Sequence, residues 1–203
     1  MTPNTKTKLK NEMQIRALQV FAPAPDAKRI DSKYYVEGYA ARYEPYVLWE
    51  DEDGPIYERF DPECFRNCDM SDIIFQLNHQ GTVMARQSNG SLIVEADGTG
   101  LFTAADLGRT EAARRLYEEI STGMITKMSW GFILGDYYYD ADSRTIVHKT
   151  VKKIFDVSAV SIPANNNTEI NARSWADGVI GTAARSEAEL DERRRRLRLK
   201  LNF

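Results

Sequence analysis

Short stretches in which apolar and polar residues alternate recur from Ile15 to Pro163, and only one segment among them has a clear helical period. Alternation puts successive side chains on opposite faces of an extended chain, so each stretch reads as a half-buried strand. Strands are predicted over residues 15–22, 34–43, 56–60, 72–77, 91–96, 101–105, 127–134, 144–150 and 151–162. Asp97-Gly98-Thr99-Gly100 is a turn that makes a hairpin of two of them. The exception is 110–121, where Ala112, Ala113, Leu116, Tyr117 and Ile120 form one apolar stripe and Gly123 stands at the C-cap. Asp61-Pro62 has the spelling of an N-cap followed by proline at N1 and predicts a short helix through Cys68. Many short strands around one main helix predict a mainly β, α+β fold: a closed or nearly closed antiparallel barrel surrounded by a few helices.

The ends read differently. Residues 1–13 are polar and rich in Lys, Thr and Asn, an expected flexible arm before a domain at 14–173. Residues 174–185 read as a linker. Ser186-Glu187-Ala188-Glu189 is a capping box, so a helix is predicted over 186–203, acidic first and then Arg193 to Arg196 and Arg198. A net charge of -3 gives no reason to expect nucleic acid as a partner. No apolar stretch approaches the ~20 residues of a membrane helix, and no signal peptide precedes the first strand, so a cytosol-like compartment is expected. Cys64 and Cys68 read as reduced thiols, too poorly accompanied by His to hold a metal, and no cofactor is expected.

Three apolar segments carry a hydroxyl, an imidazole and a carboxylate. Ser129 lies in Met128-Ser129-Trp130-Gly131-Phe132, His79 in Asn78-His79-Gln80, and Asp156 in Phe155-Asp156-Val157-Ser158. A serine hydroxyl is a poor nucleophile unless an imidazole accepts its proton, and the imidazole works best when a third group orients it. The chain has only two histidines, which raises the weight of each. Taken singly, each residue has a plain alternative. A strand serine can satisfy its hydroxyl locally, and a histidine at a strand end can be a turn residue. His148 is the rival third member, although its alternating strand suits an exposed histidine equally well. Gly131 reads as leaving room for a substrate backbone. Ser158 and Ser161 read as packing and turn residues, Arg86 as solvated or a substrate contact, and the acidic run Glu50 to Asp53 as a solvated hairpin tip.

These segments resemble, in order, the prohead maturation proteases of tailed bacteriophages, relatives in fold of the herpesvirus assemblins. The matching residues are Val36-Glu37-Gly38-Tyr39-Ala40-Ala41, the run from Glu58 to Phe65, Asn78-His79, Gly100-Leu101, Gly123-Met124-Ile125, Met128 to Phe132, Asp156 to Val160, and Pro163-Ala164. The resemblance implies a serine endopeptidase with Ser129 as nucleophile, His79 as general base and Asp156 as the orienting group, at a position where the family usually carries glutamate. It implies scaffold protein, or a scaffold-like segment of the major capsid protein, as substrates, with self-cleavage, inside an assembling procapsid in the host cytoplasm. Weak homodimers are expected by analogy. The competing expectation is a catalytically silent barrel that serves as an assembly or scaffolding module.

Overall fold

The structure, a computed structural model, describes residues 13–22 and 28–161, together with residues 180, 183, 185, 186, 188–192 and 195. In chain order the strands are β1 (Met13–Ala22), β2 (Tyr35–Arg42), β3 (Tyr46–Asp51), β4 (Gly54–Phe60), β5 (Ile74–Leu77), β6 (Gln80–Arg86), β7 (Leu92–Ala96), β8 (Gly100–Asp106), β9 (Lys127–Leu134), β10 (Tyr137–Asp140), β11 (Thr145–His148) and β12 (Val151–Val160), with helix α1 (Glu111–Ser121) between β8 and β9. The expected arm and the 162–173 end of the expected domain lie outside the described residues, apart from Met13, which opens β1. Among the described residues of the C-terminal end, residue 180 is already helical, ahead of the helix expected from 186.

The strands build an eight-stranded sheet in the order β6-β5-β12-β9-β1-β2-β8-β7 and a four-stranded sheet in the order β10-β11-β4-β3. Strand β1 joins the halves of the large sheet: Met13 to Val20 pair with β9, and Phe21 and Ala22 pair with β2. Two pairings, β12 with β5 and β11 with β4, are parallel.

The expected closed barrel is not found. Edge strands β6 and β7 are consecutive in the chain, yet no ladder joins them among the described residues. A 3-10 turn at Gln87–Asn89 and the left-handed Gly90 carry the chain across, and the Arg86 N–H donates to Ser91 Oγ at 2.9 Å, where a closing ladder would start. The short helix expected after Asp61 is also absent. Asp61 to Cys68 forms successive tight turns, because the Cys64 carbonyl is taken by the Val151 N–H (2.9 Å) rather than by a helical partner.

The main core lies between the sheets. Even-numbered β9 residues Met128, Trp130 and Phe132 face it, fully buried. Trp130 stacks on Phe132, and Phe60 of β4 meets both rings edge-on. Helix α1 is capped by Thr110, whose side chain accepts the Ala113 N–H, and Ala113 and Leu116 are its buried residues.

Candidate active site

Because the even positions of β9 face the aromatic core, Ser129 and Gly131 share the opposite face. Strand β12 runs antiparallel beside them, with Ser158 opposite Ser129 and Asp156 opposite Gly131. On the far side of β12, β5 turns into β6 through Asn78 and His79, both at positive φ (53° and 57°). A two-residue hairpin with positive φ at both loop positions is the type I′ pattern, which favours Asn first and Gly second. Histidine in the second place is strained by roughly 1 kcal/mol. That conformation swings the imidazole back over β12.

The three side chains then meet. His79 Nδ1 lies 2.6 Å from Asp156 Oδ1, and His79 Nε2 lies 2.7 Å from Ser129 Oγ. A carboxylate only accepts, so the ring proton belongs on Nδ1 and Nε2 presents its lone pair to the serine hydroxyl. The group is dry: Ser129 is fully buried, and the His79 and Asp156 side chains are 9% and 6% exposed. Hydrogen bonds to an ionised group gain strength in such surroundings. Ser129 Oγ also lies 2.8 Å from the main-chain carbonyl of Arg16 on β1. Its single proton therefore has two acceptors in reach, and only the imidazole gives a nucleophile.

The notch beside Gly131 holds the carboxylate rather than open space for a substrate backbone. A Cβ there would lie 2.5 Å from Asp156 Oδ2. Ser158, expected to be a packing residue, instead donates to Asp156 Oδ1 (2.8 Å) and accepts the His79 N–H (3.2 Å). Its spacing of two from Asp156 puts both on one face of β12, a signal present in the sequence. Asn78 Oδ1 accepts from the Ser161 N–H at 3.1 Å.

His148 is placed elsewhere and is not exposed. It is fully buried in the small sheet, stacked on Phe60, with Nε2 2.7 Å from Glu58 Oε1. Arg16 reaches the same carboxylate through Nε (2.7 Å) and Nη2 (3.1 Å), and the Tyr46 hydroxyl donates to it. Burial alone would raise the Glu58 carboxyl, but Arg16 and then His148 outweigh it and hold it well below the usual carboxylate range. Burial beside that carboxylate keeps the Tyr46 phenol well above its usual range.

Arg86 is half-exposed and paired with Asp72. In the acidic run, Asp51 is paired with Arg144 at 2.5 Å. Burial raises both cysteine thiols, Cys68 to about 12, which keeps them protonated and weakly reactive. Among the described residues no group of three or more His, Cys, Asp or Glu could hold a metal ion, and no helix is long and apolar enough to cross a membrane.

Among solved structures, the bacteriophage T4 capsid assembly protease is similar with a TM-score of 0.43 and 14% identity, covering 75% of this chain and all of that one. No curated protein matches. A family profile described as caudovirus prohead serine protease matches residues 24–178, a span that contains Ser129, His79 and Asp156. The chain belongs to the caudovirus prohead serine protease family.

Proposed function

We propose that this prohead serine protease works through Ser129, His79 and Asp156. The observation that carries the reading is the unbroken hydrogen-bonded chain from Asp156 through His79 to Ser129 Oγ. As Oγ attacks the scissile carbonyl carbon, its proton passes to His79 Nε2, and Asp156 stabilises the imidazolium. The imidazolium then protonates the leaving amine, which releases the C-terminal product and leaves the acyl-enzyme. A water molecule, deprotonated by the same imidazole, hydrolyses the ester and restores the hydroxyl. Aspartate serves where the family usually carries glutamate because the hairpin brings the ring within 2.6 Å of the shorter carboxylate.

The substrates are capsid-related proteins. Within that class we assign scaffold protein, or a scaffold-like segment of the major capsid protein, and the chain's own ends, cleaved within the procapsid in the host cytoplasm. The test is co-expression with the cognate capsid protein, read by intact mass. Wild type should trim the capsid protein and itself. Ser129→Ala should lose ~10⁴-fold or more of that rate, and Asp156→Asn a comparable factor. Cleavage by Ser129→Ala at the wild-type rate would remove Ser129 from the mechanism. If particles form and no mass changes in any variant, including wild type, the chain is a silent assembly module.

A further inference from the structure

We propose that Ser158 is a positioning residue of the active site, a fourth group that sets the geometry of the other three. The proposal rests on the reading of Ser129, His79 and Asp156 as the triad. Ser158 is fully buried and lies opposite Ser129 on the neighbouring strand. Its hydroxyl spends both of its capacities on the triad. It donates to Asp156 Oδ1 at 2.8 Å and accepts the main-chain N–H of His79 at 3.2 Å.

Each bond answers a problem that the local structure creates. Asp156 Oδ1 receives His79 Nδ1–H at 2.6 Å, and a carboxylate on a short stem can rotate about its last bond. The Ser158 proton on that same oxygen fixes the rotation, so the carboxylate keeps one oxygen facing the imidazole. Oδ2 meanwhile lies beside Gly131. The second bond acts on the base. His79 stands at φ 57°, a left-handed conformation that costs a residue with a Cβ, and its amide points at β12. By accepting that amide, Ser158 ties the strained hairpin loop to the strand that carries the carboxylate. One hydroxyl thus fixes both ends of the Asp156–His79 pair, and through them the direction in which Nε2 meets Ser129 Oγ. Both of these bonds go to His79 and Asp156 rather than to Ser129 Oγ, so Ser158 acts through the other residues.

A hydroxyl in this role should affect the chemical step and leave peptide binding alone. Hydrogen bonds to charged groups set the scale, and their loss corresponds to about a ten- to hundredfold lower kcat at unchanged KM. The test uses the full-length enzyme and a peptide spanning an observed cleavage site, with Ser158→Ala, Ser158→Cys and Ser158→Thr beside wild type and Ser129→Ala. Cysteine is nearly isosteric but a weak donor, so it reads the same bonds if alanine fails to fold. Threonine keeps the hydroxyl and should restore most of the rate. A second readout is the low-field proton resonance of the His79 Nδ1–H bond, identified by its loss in His79→Gln. It should shift or broaden in Ser158→Ala and Ser158→Cys and stay in place in Ser158→Thr.

Wild-type kcat and an unmoved resonance in folded Ser158→Ala or Ser158→Cys would overturn the proposal. So would a loss of activity that matches the loss of folded protein, since that is a purely structural role. If Ser129→Ala cleaves as fast as wild type, the triad reading itself has failed, and that outcome is separate from the first two.

Discussion

At the scale of single residues, the site depends on a side chain that is missing. Gly131 lies directly across from Asp156, and a Cβ there would meet Oδ2 at 2.5 Å and the Met13 sulfur at 3.1 Å. The carboxylate cannot swing aside freely, because its other oxygen is held by His79 and Ser158. Gly131→Ala should therefore displace Asp156 without removing it. A shift of an ångström in an orienting group costs ~10²-fold in rate, so kcat should fall by about that factor while the chain stays folded. Steady-state kinetics with a circular dichroism check reads this, and a fully active Gly131→Ala would show that the carboxylate has room to spare. The three candidate residues came from the resemblance, because each taken singly had a plain alternative; the structure brings their side chains together. Gly131 and Ser158 were misread in the sequence. Their value comes from cross-strand register, and register depends on residues far apart in the chain.

At the scale of elements, legibility followed how local the cause was. Strand β9 runs over the predicted residues, and α1 over the predicted stripe, because alternation and stripe are written within a few neighbours. Strand β6 was not predicted, and the reason lies in its hairpin. Asn-His lacks the glycine that makes Asn-Gly a recognisable loop, so the histidine in its second place hides the turn. Strand β10 sat in what read as a loop, since Tyr137-Tyr138-Tyr139-Asp140 has no alternation. The hairpin gives a prediction. Asn78 has φ 53° and its side chain holds the Ser161 N–H. Asn78→Gly keeps the loop conformation and loses only the bonds that Oδ1 accepts from the Ser161 N–H and hydroxyl. Asn78→Ala also gives up the tolerance of asparagine for a left-handed backbone while keeping a Cβ that glycine lacks, which costs roughly 1 kcal/mol more than the glycine variant. Urea midpoints should rank wild type, Gly, then Ala, with kcat following the same order as His79 loses its seat. Equal midpoints for the glycine and alanine variants would mean that the loop does not impose this conformation.

For the molecule as a whole, the question is what holds the two sheets in register behind Ser129. A fully closed barrel would have done so through continuous ladders. The open sheet instead relies on the aromatic core and on one buried charge cluster. Arg16 comes from β1 of the large sheet, and Glu58, His148 and Tyr46 come from β4, β11 and β3 of the small one. The Arg16 carbonyl also meets Ser129 Oγ, so the cluster anchors the strand that lies against the hydroxyl. Glu58→Gln withdraws the charge that Arg16 and His148 face, and breaking a buried ion pair from one side costs about 3–5 kcal/mol. The pH dependence carries a sign. The folded Glu58 carboxyl is held well below its usual range, whereas in the unfolded chain it returns to about 4.3. The unfolded state therefore binds the proton first as the solution is acidified. Stability supplied by Glu58 is complete above about pH 5 and is lost as pH falls through the acid range. Several exposed aspartates, Asp69 and Asp72 among them, are also held low by their partners, so wild type alone does not isolate the effect. The difference does. Urea midpoints taken from pH 6 down to pH 3 should fall more steeply for wild type than for Glu58→Gln, the two curves converging at the acid end. Parallel curves would place the acid sensitivity of the fold outside this cluster and leave the aromatic core as what joins the sheets.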